Sequence, residues 1–240
     1  MLFVFEVLLF MAKLKKLMTY FSKFEMFLWS FSVLMITLSY LIFDKSNHLT
    51  FSASLIGITS ILLSAKGNPI GQFLMIIFSL FYGFISYSVR YYGEMATYLG
   101  MTMPMAVFAL ISWLKHPYNE RKSEVAVKRL SKAEILFIIP LSALVTAIFY
   151  FVLKEFNTAN ILPSTFSVTT SFLAVYLTFM RSPYFSLAYA LNDIVLLVLW
   201  TLASFENTKY ISVIVCFSKF LLNDIYAFIS WKKMAKRQKA

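Results

Sequence analysis

Eight apolar stretches divide the 240 residues, most of them close to the roughly 20 residues that a helix needs to cross a bilayer core. They cover residues 27–43, 51–65, 70–89, 95–114, 135–153, 163–180, 184–204 and 210–231. The composition agrees. Apolar residues make up 60% and charged ones 14%, against about 45–50% and about 25% in a soluble globular domain. The chain is therefore read as all-α and integral to a membrane, with eight transmembrane helices in a single transport-sized domain over 25–231. A short basic tail over 232–240 follows.

The formal charge of +11 raises nucleic acid as a partner, and the placement of that charge excludes it. Seventeen of the 22 lysines and arginines fall on the termini and the even-numbered loops, four fall on the other face, and Lys219 lies inside the last span. This bias puts both termini in the cytoplasm and makes the lipid bilayer the partner of the positive charge. Residues 1–24 mix Lys13, Lys15, Lys16 and Lys23 with leucine, methionine and phenylalanine, which predicts a basic interfacial segment.

The chain repeats itself. Phe108-Ala109-Leu110-Ile111-Ser112-Trp113 is matched 118 residues later by Tyr226-Ala227-Phe228-Ile229-Ser230-Trp231. Short turns, Lys66-Gly67-Asn68-Pro69 and Arg181-Ser182-Pro183, open spans three and seven. With four spans per half, the copies run parallel, a known transporter design.

The machinery of common enzymes is missing. The two histidines fall in loops, the single cysteine lies in an apolar run, and no P-loop, Gly-x-Ser-x-Gly or Cys/His metal spacing occurs. Neither a cofactor nor a metal is expected, and a membrane enzyme or sensor is the remote alternative. The polar residues at bilayer depth carry the function instead, because such groups are costly there. Span seven contains Asn192 and Asp193, with Trp200 on the Asn192 face. Span eight contains Lys219, Asn223, Asp224 and Tyr226, of which Lys219, Asn223 and Tyr226 share one face. In span three Gln72, Ser79, Gly83 and Ser86 form a polar stripe with Tyr82 at its edge. Serines such as Ser79, Ser167 and Ser171 are expected to bond between helices, and Lys219 could pair internally with Asp193 or Asp224. Asn192 and Asn223 are the sharpest candidates, since an uncharged amide among aromatic rings suits a flat polar ring carrying hydroxyls.

Several stretches resemble the PnuC-type nicotinamide riboside transporters of bacteria: Arg90-Tyr91-Tyr92-Gly93-Glu94-Met95, Ala109-Leu110-Ile111-Ser112-Trp113, Leu191-Asn192-Asp193-Ile194 and the ending Asn223-Asp224-Ile225-Tyr226-Ala227-Phe228-Ile229-Ser230-Trp231. The likeness runs over roughly 25–235. It implies two parallel three-helix bundles (about 51–114 and 163–231), a linker helix at about 135–153 and one extra N-terminal helix. It also implies facilitated diffusion of nicotinamide riboside across the bacterial inner membrane, with trapping by a cytoplasmic riboside kinase, and leaves a homo-oligomer open. Asn192, Asn223, Asp224 and Tyr226 would approach the substrate. Ala227 stands where the family often has glycine, and Ala106 stands in the first half where the last span has Asp224. The expected site thus leans on the second half, and thiamine or riboflavin remains the alternative substrate. Alternating access by rocking of the two bundles is the expected mechanism.

Overall fold

A computed structural model describes residues 20–88, 92–158 and 160–239. Most of the interfacial segment expected over 1–24 lies outside the described residues. From Lys23 onward the chain is already the first long helix.

Eight helices are long and apolar enough to cross a membrane: α1 Lys23–Phe43, α2 His48–Ala65, α3 Pro69–Ser88, α4 Tyr92–Lys115, α5 Lys132–Glu155, α6 Ile161–Phe179, α7 Phe185–Ser204 and α8 Ile211–Arg237. The protein is a multi-pass membrane protein. Helices α1 and α5 begin earlier than hydropathy alone indicates because each opens with a capping box, Ser22 with Glu25 and Ser131 with Glu134. Helix α4 contains a π-helical turn, Tyr98–Thr102, just before Pro104. Proline brings no N–H to the helical ladder, and the wider turn accommodates the missing bond. The tail is not a separate segment as far as Arg237, because α8 continues through it.

Helices α2, α3 and α4 pack in sequence order, as do α6, α7 and α8. Contacts of α2 with α8 and of α4 with α6 close these six into a ring. Helix α1 lies outside against α2 and α8, and α5 lies outside against α6. Helix α5 buries little of itself, with Leu136 71% and Phe151 68% exposed, the surface expected where hydrocarbon replaces water.

The two halves make matching bonds. Trp113 Nε1 donates to Thr178 O at 2.9 Å and Trp231 Nε1 to Ser64 O at 2.7 Å. Gly67 and Arg181, each two residues before a proline, both adopt left-handed backbone (φ 68° and 57°). The linker between α4 and α5 ties these two turns together through Val125 N to Gly67 O and Lys128 N to Arg181 O. Sequence reading left that linker as charged loop. It contains a hairpin, β1 Pro117–Tyr118 and β2 Arg121–Val125, turning at Asn119 and Glu120 with φ of 46° and 61°. Positive φ at both central residues is the turn that matches strand twist. This hairpin and the two tied turns share one end of the molecule with the start of α1 and the end of α8, here called the terminal face.

Helices α2 and α3 approach closely at Gly71. Ser60 Oγ donates to Gly71 O at 2.8 Å, and a Cβ on Gly71 would stand 2.7 Å from Ser64 N and 2.9 Å from Ser60 O. Backbone cannot give way as a side-chain tip can. Gly71→Val is expected to cost about 1–3 kcal/mol, read as a lowered thermal midpoint in detergent. Gly100→Ala, whose Cβ meets nothing within 4 Å, should leave the midpoint unchanged.

Candidate functional site

Inside the helix ring lies a cavity walled by Phe78, Tyr98, Phe185, Tyr189, Phe217 and Phe220, with Ser64, Gln72, Thr102, Ser171, Asn192, Asp193 and Asp224 supplying its polar groups. It offers ≈ 40 Å³ to water centres, enough for a few waters. A nucleoside-sized solute therefore enters only if the aromatic walls move apart. Among the described residues no lysine, arginine or histidine lines it.

Helix α6 fixes the orientation of Asn192. Thr170 Oγ1 and Ser171 Oγ lie 2.8 and 2.9 Å from Asn192 Oδ1, with Ser167 Oγ at 3.4 Å. These hydroxyls occupy the amide oxygen, so the NH₂ group is what the residue offers to a solute. Beside it, Asp193 and Asp224 are each 3% exposed, and their carboxyls come within hydrogen-bonding reach of one another across α7 and α8. Asp193 Oδ2 has no protein partner. Gln72 enters from α3 and is held by Nε2 donating to Ser64 Oγ at 3.1 Å. Asn192, Asp193, Asp224 and Gln72 thus meet at one cavity.

Asn223, Lys219 and Tyr226 do not join them. They share a face of α8, as their spacing predicts, but that face is turned to α1. Asn223 Nδ2 donates to Ser32 Oγ at 3.0 Å and to Lys219 O at 2.8 Å. Tyr226 donates to Glu25 Oε1 at 2.8 Å, and Glu25 also pairs with Lys66 at 3.2 Å. Lys219 Nζ sits 4.7 Å from the Phe31 ring centroid, and neither aspartate forms an ion pair with it. These three side chains, expected from the sequence to contact substrate, lie outside the lining of this cavity. Periodicity correctly grouped these three but could not say which face of α8 an extra helix covers. The cavity face is Phe217, Phe220 and Asp224, at i, i+3 and i+7.

Tyr82 and Trp200 lie just beyond the cavity, toward the face opposite the termini. The Tyr82 ring contacts Phe78, Tyr98 and Phe217 from the cavity wall, at centroid distances of 5.6, 4.3 and 5.9 Å, and Trp200 at 6.4 Å on its other side. They form one closing layer. On the terminal face a second layer is formed by Trp113, Phe185 and Trp231, with 5.3 Å between the two tryptophan rings and 4.8 Å between Phe185 and Trp231.

Sequence reading missed Glu94. Helix α4 buries it to 8% exposure beside Tyr82 and Tyr98, and its Oε2 has no partner. The i, i+4 spacing of Glu94 and Tyr98 was the available signal. Among the described residues no group of histidine, cysteine, aspartate and glutamate could hold a metal ion.

Residues 47–233 match the family described as nicotinamide mononucleotide transporter. The chain belongs to that family. Similar curated proteins are the nicotinamide riboside transporter PnuC of Neisseria mucosa, 24% identical with 82% of this chain and 76% of that protein covered, and its namesake in Haemophilus influenzae, 22% identical over 75% and 77%. The fold is that of the crystal structure of the vitamin B3 transporter PnuC, with a TM-score of 0.79 and 23% identity over 91% of this chain and 94% of the other. The chain is thus a member of a transporter family rather than an enzyme, and the PnuC-type resemblance read from the sequence is borne out.

Proposed function

We propose that the chain is a permease for nicotinamide riboside and that the cavity around Asn192, Asp193 and Asp224 binds it. The observation that carries this reading is the charge of the lining: among the described residues, two carboxyl groups and no basic side chain. Nicotinamide riboside joins a flat pyridinium cation to a ribose. Buried carboxyls balance the ring's charge and accept from ribose hydroxyls, while the Asn192 NH₂ can donate to the carboxamide oxygen and aromatic walls stack on the ring. A mononucleotide adds a phosphate dianion, and burying that beside two carboxyls with no lysine or arginine among the described lining residues is strongly unfavourable. The lining therefore favours the riboside named for the relatives over the mononucleotide in the family description. Thiamine, also a ring cation, is the second reading that this charge pattern admits. Riboflavin, a neutral ring, gains nothing from it.

Two aromatic closures on either side of one cavity support alternating access, with the Tyr82–Trp200 layer and the Trp113–Trp231 layer opening in turn. The excess of lysine and arginine on the terminal face supports a cytoplasmic location for it. Flux then runs down the riboside gradient, and phosphorylation by a cytoplasmic kinase makes uptake one-way, since the phosphorylated product no longer suits the cavity. Counterflow in proteoliposomes tests the reading. Vesicles loaded with unlabelled nicotinamide riboside should transiently accumulate the labelled riboside, and vesicles loaded with nicotinamide mononucleotide should not. Equal counterflow with the mononucleotide would overturn the substrate assignment.

A further inference from the structure

On the face opposite the termini, a second polar hollow of ≈ 370 Å³ opens above the Tyr82–Trp200 layer, between the α1–α2 turn and the α7–α8 turn. Small-molecule pockets span roughly 300–1,000 Å³, so this hollow already has the room that the central cavity lacks. Trp200 forms its floor, and the Trp200 and Tyr210 rings meet at 5.3 Å. Two of its polar groups are withdrawn from solvent. Asp44 is only 8% exposed, and Thr50 Oγ1 is buried without a hydrogen-bond partner. Asp44 is set by its backbone N–H donating to Tyr40 O and by Asn47 N donating to its own carbonyl, both bonds that order the turn. Lys209 lies across the hollow, solvent-exposed and not in ion-pair contact with Asp44. Burial pushes the Asp44 carboxyl above its ordinary range, against the Asn47 hydrogen bond and the Lys209 charge.

A buried carboxyl and an unpartnered hydroxyl, both lining one hollow with aromatic rings, match a vicinal sugar diol attached to a ring. A carboxylate accepts from two adjacent hydroxyls, and a hydroxyl both donates and accepts. We propose that this hollow is a second binding position on the permeation path, taking ring-bearing ribosides through Asp44 and Thr50 before they pass the aromatic layer. The proposal rests on the central cavity being a riboside site and adds a waiting position in line with it.

Equilibrium binding of tritiated nicotinamide riboside to the full-length protein in detergent tests this. Asn192→Leu disables the central position and should leave a weaker saturable site of one equivalent. Adding Asp44→Ala, or the near-isosteric Thr50→Val, should weaken that residual site about tenfold or more, with thermal midpoints confirming that each variant is folded. No residual site in Asn192→Leu, or one indifferent to both additions, overturns the proposal. If Asn192→Leu binds as tightly as the unaltered protein, the central assignment fails. In that case the loss of a site on Asp44→Ala still upholds the outer position, and an unchanged stoichiometry still overturns it.

Discussion

Asn192→Leu is expected to abolish saturable uptake of nicotinamide riboside, weakening binding at least about 100-fold, while the protein remains folded. The argument is geometric. The α6 hydroxyls hold the amide oxygen, so the leucine removes the amide donor that α7 presents to the cavity and leaves a polar group of the solute unpaired at bilayer depth. The fold tolerates the change because the α6 hydroxyls have other acceptors; Thr170 Oγ1 already lies 3.0 Å from Phe166 O. Asn223→Leu provides the contrast. It breaks the bonds to Ser32 Oγ and the Lys219 carbonyl, costing about 1–2 kcal/mol of stability, and leaves KM within a few-fold. Uptake measured in cells alongside membrane abundance separates the two outcomes. Should Asn223→Leu lose binding and Asn192→Leu keep it, the face of α8 has been assigned wrongly.

The second large effect is on stability. Trp113 and Trp231 are fully buried, meet with their rings tilted against one another, and each satisfies a carbonyl of the opposite half. Truncating either to alanine is expected to cost about 3–5 kcal/mol through the cavity left behind. The stranded carbonyl of Thr178 or Ser64 adds to that. Trp→Phe at either position keeps most of the packing and loses only the N–H, so about 1–3 kcal/mol is expected. Thermal midpoints in detergent should therefore fall in the order Phe then Ala, and by similar amounts in the two halves. A large drop at Trp231 with none at Trp113 would contradict the equivalence of the two closures.

The sequence made the spans legible, because bilayer thickness imposes a length that apolar runs must meet. It also revealed the matched turns at Gly67 and Arg181 and the two equivalent tryptophans, since each repeats in register. It could not show the hairpin at 117–125, whose turn depends on Asn119 and Glu120 taking left-handed backbone rather than on any apolar alternation. At the site, Asn192, Asp193, Asp224 and Gln72 were readable as costly polar groups at depth. The contacts of Asn223, Lys219 and Tyr226 with α1 were not, because which face of α8 is covered depends on where α1 docks, and that is a tertiary fact. Glu94 was not singled out for a related reason: its burial depends on Tyr82, which α3 brings beside it, and that too is a tertiary fact.

The most direct test of the central claim is ligand-induced stabilisation of the purified protein. Nicotinamide riboside at about 100 times its dissociation constant should add roughly 2.7 kcal/mol to the folded state and raise the thermal midpoint. Nicotinamide mononucleotide, thiamine and riboflavin at the same concentration should give smaller shifts, and Asn192→Leu should lose most of the riboside shift. A larger shift with the mononucleotide, or a riboside shift undiminished by Asn192→Leu, would contradict the account.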